Sequence, residues 1–185
     1  MSLFEFVTVM VSMILALCLG HLLKGASFLA KTDRKTVHYA PYTLWSVVVL
    51  MAVVNHWWSL WDLHDVDWSY TSFLYILAAP VLVSFATGMM SPEQGVVGPI
   101  DLRQHYARIR RLFSAVMILY VLFMWFDGPL LAGQDPFGLV GALHVPMLAA
   151  FLVPGISAAK RANSIAASVV ITILLGVMIA RYSAS

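Results

Sequence analysis

Two histidines set in apolar sequence are the residues of this chain best placed to do chemistry. His56 follows Asn55 in Val53-Val54-Asn55-His56-Trp57-Trp58, and His144 lies between Gly141 and Pro146. An ionisable side chain inside an apolar stretch is costly and marks a candidate functional position. Imidazole titrates near neutrality, so His56, His144 and Asn55 suit a polar pathway coupled to proton movement or gating. Neutral imidazole also binds iron, which makes His56 and His144 candidate axial ligands of a b-type haem. Two imidazoles are few for zinc or copper, so any metal stays unassigned. Two further readings need no ligand. The chain is an accessory subunit packed on a larger membrane complex, or each imidazole simply bonds a carbonyl or hydroxyl between helices.

The elements that hold these residues follow from composition. Hydrophobic residues make up 61% and charged residues 11% of the 185-residue chain, against about 25% charged in a soluble domain. A membrane-crossing helix takes about 20 apolar residues. Six stretches qualify: 4–23, 42–61, 69–89, 112–130, 137–158 and 163–182. The expectation is one transmembrane domain, an all-α polytopic bundle. Pro80, Pro146 and Pro154 interrupt the third and fifth stretches, which membrane helices tolerate when neighbours satisfy the freed carbonyls. The fifth is the least regular and reads either as a full span or as a re-entrant segment.

Depth along these spans brings the polar residues to one level. His56 stands about 7 Å and His144 about 4–5 Å from the midpoints of their spans, both toward the same side. Tyr75 reaches that level from the third span, and Glu5 stands at the rim. Ala52, His56 and Ser59 share a helical stripe of small and polar residues, and Gly141 precedes His144 by one turn, leaving room for a partner.

Charge sets the orientation. Lys24, Lys31, Arg34, Lys35, Arg103, Arg108, Arg110, Arg111, Lys160 and Arg161 fall on one side of the spans, and only Arg181 on the other. The positive-inside rule makes the first side cytoplasmic, so both termini are expected outside. Glu5, Asp62, Asp65, Asp67, Asp127 and Asp135 fall on the outer side, where the loop holding Asp62, His64, Asp65 and Asp67 reads as a solvated acidic segment that concentrates cations. Trp57, Trp58, Trp61, Trp68 and Trp125 near outer span ends, and Trp45 near an inner one, read as an interfacial belt.

Asp101 reads as an N-cap with Gln104 three residues on. Leu102, Tyr106, Ile109 and Phe113 then form one apolar stripe. This predicts an interfacial helix over 101–111, with Arg103, Arg108, Arg110 and Arg111 among lipid headgroups. These arginines stop at the mouth of the span, which excludes a voltage sensor. Three spans on either side of this basic loop permit an inverted repeat, although the halves show no sequence similarity. Rows of small residues, Ser12-Ala16-Gly20 and Gly176-Ala180, suit internal helix packing or a homo-oligomer.

Cys18 is the lone cysteine, so no disulfide forms within the chain. The sequence lacks the phosphate-binding G-x-x-x-x-G-K-[ST], the zinc motif H-E-x-x-H and the nucleophile elbow G-x-S-x-G. No lysine falls within a span, which excludes a retinal-type Schiff base. Nothing points to an enzyme or to nucleic acid; the expected partner is the bilayer.

The opening Leu3-Phe4-Glu5-Phe6-Val7-Thr8-Val9 and the segment His56-Trp57-Trp58-Ser59-Leu60-Trp61-Asp62-Leu63 resemble a family of small bacterial membrane proteins with no assigned activity. The resemblance runs through most of the chain and implies a multi-pass protein of a bacterial inner membrane. The reading that follows is a small channel or transporter for protons or another small cation.

Overall fold

The computed structural model describes residues 2–92 and 98–183. Its elements in chain order are α1 (Leu3–Lys31), β1 (Thr36–Val37), α2 (Ala40–Ser59), α3 (Tyr70–Met90), β2 (Ile100–Asp101), α4 (Leu102–Ala132), α5 (Leu139–Ala142), α6 (His144–Ile156) and α7 (Lys160–Ser183). A turn of 3-10 helix, Leu60–Leu63, extends α2. The chain is an all-α multi-pass membrane bundle: α1, α2 with its extension, α3, α4 and α7 are each long and apolar enough to cross a bilayer.

Local sequence starts and stops these helices. Ser2 and Glu5 form a reciprocal capping box on α1, with Ser2 Oγ accepting from the Glu5 amide (3.1 Å) and Glu5 Oε2 from the Ser2 amide (2.9 Å). Pro41 lies in the first turn of α2, where its missing N–H costs nothing. Ser69 caps α3 through the Ser72 amide, and Asp101 caps α4 through the amides of Arg103 and Gln104. Gly133, at φ 62°, ends α4 in the left-handed conformation that glycine adopts most readily. At about 1.5 Å per residue, α1 and α4 run well past a bilayer core of about 30 Å, so their basic ends project beyond it.

The 137–158 segment differs from the expected continuous span. It is a turn, the short α5, a break at Leu143 and the 13-residue α6. Pro146 explains the break: its ring and missing N–H are incompatible with a bond to the Ala142 carbonyl but fit the first turn of a new helix. Despite its length α6 runs the same course as its neighbours. His144 lies against Trp125 of α4, and Pro154 and Gly155 lie against Arg110, fifteen residues back along that helix. Five helices are thus long enough to cross a bilayer, the shorter α6 lies alongside α4, and the start of α1 and the end of α7 lie at one end of the bundle.

That end holds the acidic residues. Phe6 meets Phe73 (6.0 Å between rings), and Trp57 Nε1 donates to Ser12 Oγ (3.2 Å). At the opposite, basic end, Tyr42 donates to the Met90 carbonyl (2.6 Å) and Tyr106 to Asn163 Oδ1 (2.6 Å). There the loops after α1 and α3 also pair as two parallel strands, Thr36 opposite Ile100 and Val37 opposite Asp101, while the Arg34 guanidinium donates to the Gly98 carbonyl.

Three sequence expectations change here. Residues 101–111 form the first turns of α4, and their stripe Leu102, Tyr106 and Phe113 is buried in the bundle rather than laid on a membrane surface. Arg110 has an internal role: its guanidinium Nη1 donates to the carbonyls of Pro154 (2.5 Å) and Gly155 (3.2 Å), which end α6 and need donors. Arg103, Arg108 and Arg111 are exposed. Trp45 belongs to no belt; it is fully buried between Phe113 (5.7 Å) and Phe151 (5.1 Å). Of the small-residue rows, Ser12 serves inside as the acceptor for Trp57, whereas Ala16, Gly20, Gly176 and Ala180 are exposed.

Candidate functional site

The acidic end opens into a cavity of about 390 Å³ among α2, α4, α6, α7 and the link between α4 and α6. The link is shaped by residues that turn the chain sharply. After Gly133, the Gln134 amide donates back to the Gly128 carbonyl (3.2 Å). The Gln134 side chain fills the space that a Cβ on Gly128 would take. Asp135 Oδ1 accepts from the Phe137 amide (2.9 Å), and Trp125 Nε1 donates to the Pro136 carbonyl (2.7 Å), tying the link to α4. Gly141 presses on the same proline, where any Cβ would overlap the Pro136 carbonyl oxygen.

The walls combine polar and apolar groups. Asn55 and Ser59 come from α2, Asp62 from its 3-10 extension, Asp127 from α4, Asp135 from the link and His144 from α6. Val121, Met124, Met147, Leu174 and Val177 supply apolar surface, and Tyr120 and Trp125 aromatic surface. His144 lies flat on Trp125, with ring centroids 5.8 Å apart and planes 4° from parallel, and its Nδ1–H donates to the Gly141 carbonyl (3.2 Å). Asn55 Oδ1 is shielded from solvent and has no hydrogen-bond partner among the described residues. An acceptor in that condition loses free energy unless something donates to it.

The expected site is therefore brought together only in part. His144 and Asn55 line the cavity; His56 does not. His56 is 1% exposed, packed between α2 and α4 with Nδ1 2.8 Å from Met124 Sδ and its ring 6.0 Å from that of Tyr120. Its Nε2 is buried without a partner among the described residues. One imidazole faces a thioether and the other lies on an indole, so they do not confront each other across a plane as axial haem ligands must. Haem does not fit this pair. Nor do the described residues gather three or more His, Cys, Asp or Glu side chains around a point that would hold a metal ion.

Tyr75 donates to the Phe123 carbonyl (3.0 Å) and serves as a tie between α3 and α4. Glu5 caps α1. In the acidic loop, His64 Nε2 pairs with Asp65 Oδ2 (2.8 Å), its Nδ1–H donates to the Trp61 carbonyl (2.7 Å), and its ring stacks on Trp61. Asp62 turns to the cavity, while Asp67 lines a separate surface groove beside Glu5 and Trp68.

Tyr120, Met124, Trp125 and Gln134 were not anticipated as site residues. The signal for them was the pair of turn clusters Asp127-Gly128-Pro129 and Gly133-Gln134-Asp135-Pro136. Two such clusters within ten residues mark a chain that folds back on a helix end, which is where a recess forms.

Below the cavity the bundle is closed. Trp45, Val48, Val49, Phe113, Met117, Phe151 and Val170 are all buried to within 1% of complete. The buried polar side chains Ser114 and Asn163 are bonded within the protein, Ser114 to the Phe151 carbonyl (2.6 Å). No family model matches this chain, and no curated protein or solved structure matches it.

Proposed function

We propose that this protein is a small cation carrier of a bacterial cytoplasmic membrane, with the cavity and both termini on the outer side. The observation that carries the reading is the cavity itself, polar and acidic at its mouth and sealed beneath by close apolar packing. A recess that opens on one face and ends in packed side chains suits a carrier that binds and then rearranges. A standing pore would need a polar or carbonyl-lined path to the far side.

Charge favours cations over other solutes. On the cavity side the sequence has Glu5, Asp62, Asp65, Asp67, Asp127 and Asp135 against one strong base, Arg181. An acidic funnel with low-dielectric walls raises the local cation concentration. The basic opposite end supports a cytoplasmic placement of that face. The likeness of the Leu3–Val9 and His56–Leu63 segments to small bacterial membrane proteins supports the choice of membrane.

The test is flux in liposomes holding purified protein, read with internal dyes for protons and for potassium or ammonium. The wild type is expected to dissipate an imposed cation gradient, and Asp127→Asn to slow it at least tenfold. Wild-type vesicles that behave like protein-free ones toward every cation tried would overturn the proposal.

A further inference from the structure

The proposed carrier leaves open which cation the cavity holds, and its walls bear on that question. A proton needs no cavity. A bare divalent metal ion needs several oxygen ligands converging at fixed distance, and the described residues bring no three His, Cys, Asp or Glu side chains around one point. The volume, about 390 Å³, lies instead at the lower end of the range for organic ligands, roughly 300–1,000 Å³.

The wall chemistry is divided in a way an inorganic ion would not use. Asp62, Asp127 and Asp135 lie on the extension of α2, the end of α4 and the link that follows it. Val121, Met147, Leu174 and Val177 give the helical walls a continuous aliphatic character. Trp125 lies between these groups with His144 stacked on its ring. An organic ammonium ion meets the acidic excess favourably where an anion does not, and its hydrocarbon part covers the aliphatic wall.

We propose, building on the cation reading, that the cargo is an amphiphilic organic ammonium ion. Its charged head lies among the carboxylates, and its short alkyl or aryl tail lies against the aliphatic wall of α4, α6 and α7. Head and tail are recognised by different residues, so the two contributions separate by mutation.

The experiment is titration of the purified full-length protein in detergent, by calorimetry and by tryptophan fluorescence. The probes are ammonium, methylammonium, propylammonium, butylammonium and benzylammonium chlorides, with potassium chloride and butanol as controls. Burying each methylene at about 0.8 kcal/mol gives roughly a fourfold gain in affinity per carbon along the alkyl series. Asp135→Asn is expected to weaken every ammonium probe about tenfold without changing that increment. Val177→Trp, or Leu174→Phe if the first unfolds in a thermal melt, is expected to flatten the increment and leave ammonium itself within about twofold.

Potassium or ammonium binding as tightly as butylammonium would overturn this inference and leave the cation carrier standing. Butanol binding as tightly as butylammonium would also overturn it, by showing an apolar recess indifferent to charge. Folded wild-type protein that binds no cation of either kind, and carries none in liposomes, would overturn both.

Discussion

Two asparagines summarise the difference between the ends of this bundle. Asn163, at the basic end, is completely buried and uses its amide fully: Oδ1 accepts from the Tyr106 hydroxyl (2.6 Å), and Nδ2 donates to the Ser157 and Ala159 carbonyls (3.0 Å each). Asn55, at the acidic end, keeps a shielded Oδ1 with no partner among the described residues. The same contrast runs through the surroundings. At the basic end Arg110, Tyr42 and the strand pair satisfy carbonyls that helix ends and loops expose. At the acidic end Thr8, Asn55, His56 and Trp68 all hold a buried polar atom without a partner among the described residues. The basic half is not wholly satisfied, since Trp45 Nε1 is also buried without a partner among the described residues, but most of these unpartnered atoms gather toward the acidic end.

The sharpest way to break this contrast is to exchange the roles of the two asparagines. Asn163→Ala strands a buried tyrosine hydroxyl and the Ser157 carbonyl, each worth about 1–3 kcal/mol, while the Ala159 carbonyl keeps the amide of residue 163 as its donor. The expected loss is about 2 kcal/mol or more, seen as a large drop in melting temperature in detergent. A drop of only a degree or two would mean that the basic end is not the stabilising one. Gly141→Ala comes next, because its Cβ would overlap the backbone of Pro136. The link must shift, at a cost of about 1–3 kcal/mol, and probe binding in the cavity should fall with it.

Arg110→Met removes a donor from the end of α6 and is expected to cost about 1–2 kcal/mol. Probe affinity should stay within about twofold, since the change is remote from the cavity. Asn55→Leu should have the smallest effect on stability. It removes an unsatisfied buried acceptor, so the melting temperature is expected to hold or rise slightly. A marked fall in melting temperature would show that Asn55 is a structural residue with a partner of its own.

The bundle was legible in the sequence because length and hydropathy alone demand it. Five of the six apolar stretches reappear as helices long enough to cross a bilayer and the other as the short α6, and Asp101 caps its helix as its position before Arg103 and Gln104 suggests. Helical facing was less legible. The stripe Leu102, Tyr106 and Phe113 has the same periodicity whether it meets lipid headgroups or Trp45 and Asn163, and only the packing decides. The site was half legible for a related reason. Depth correctly brought His144 and Asn55 to one level, but depth carries no azimuth, and one residue along α2 separates the cavity wall at Asn55 from the interior at His56. Tyr75 likewise has the right level and faces α4. Glu5 had a nearer explanation in Ser2, three residues before it, which is the spacing of a capping box.

The strand pair between the loops after α1 and α3 imposes an order on biogenesis. Arg34 and Gly98, like Thr36 and Ile100, are 64 residues apart. Translation proceeds from the N-terminus at roughly 5–20 residues per second, so β1 is made roughly 3–13 seconds before the strand that pairs with it. Its edge can close only after α3 and the loop behind it have been made, so the clasp at the basic end follows the first three helices rather than guiding them.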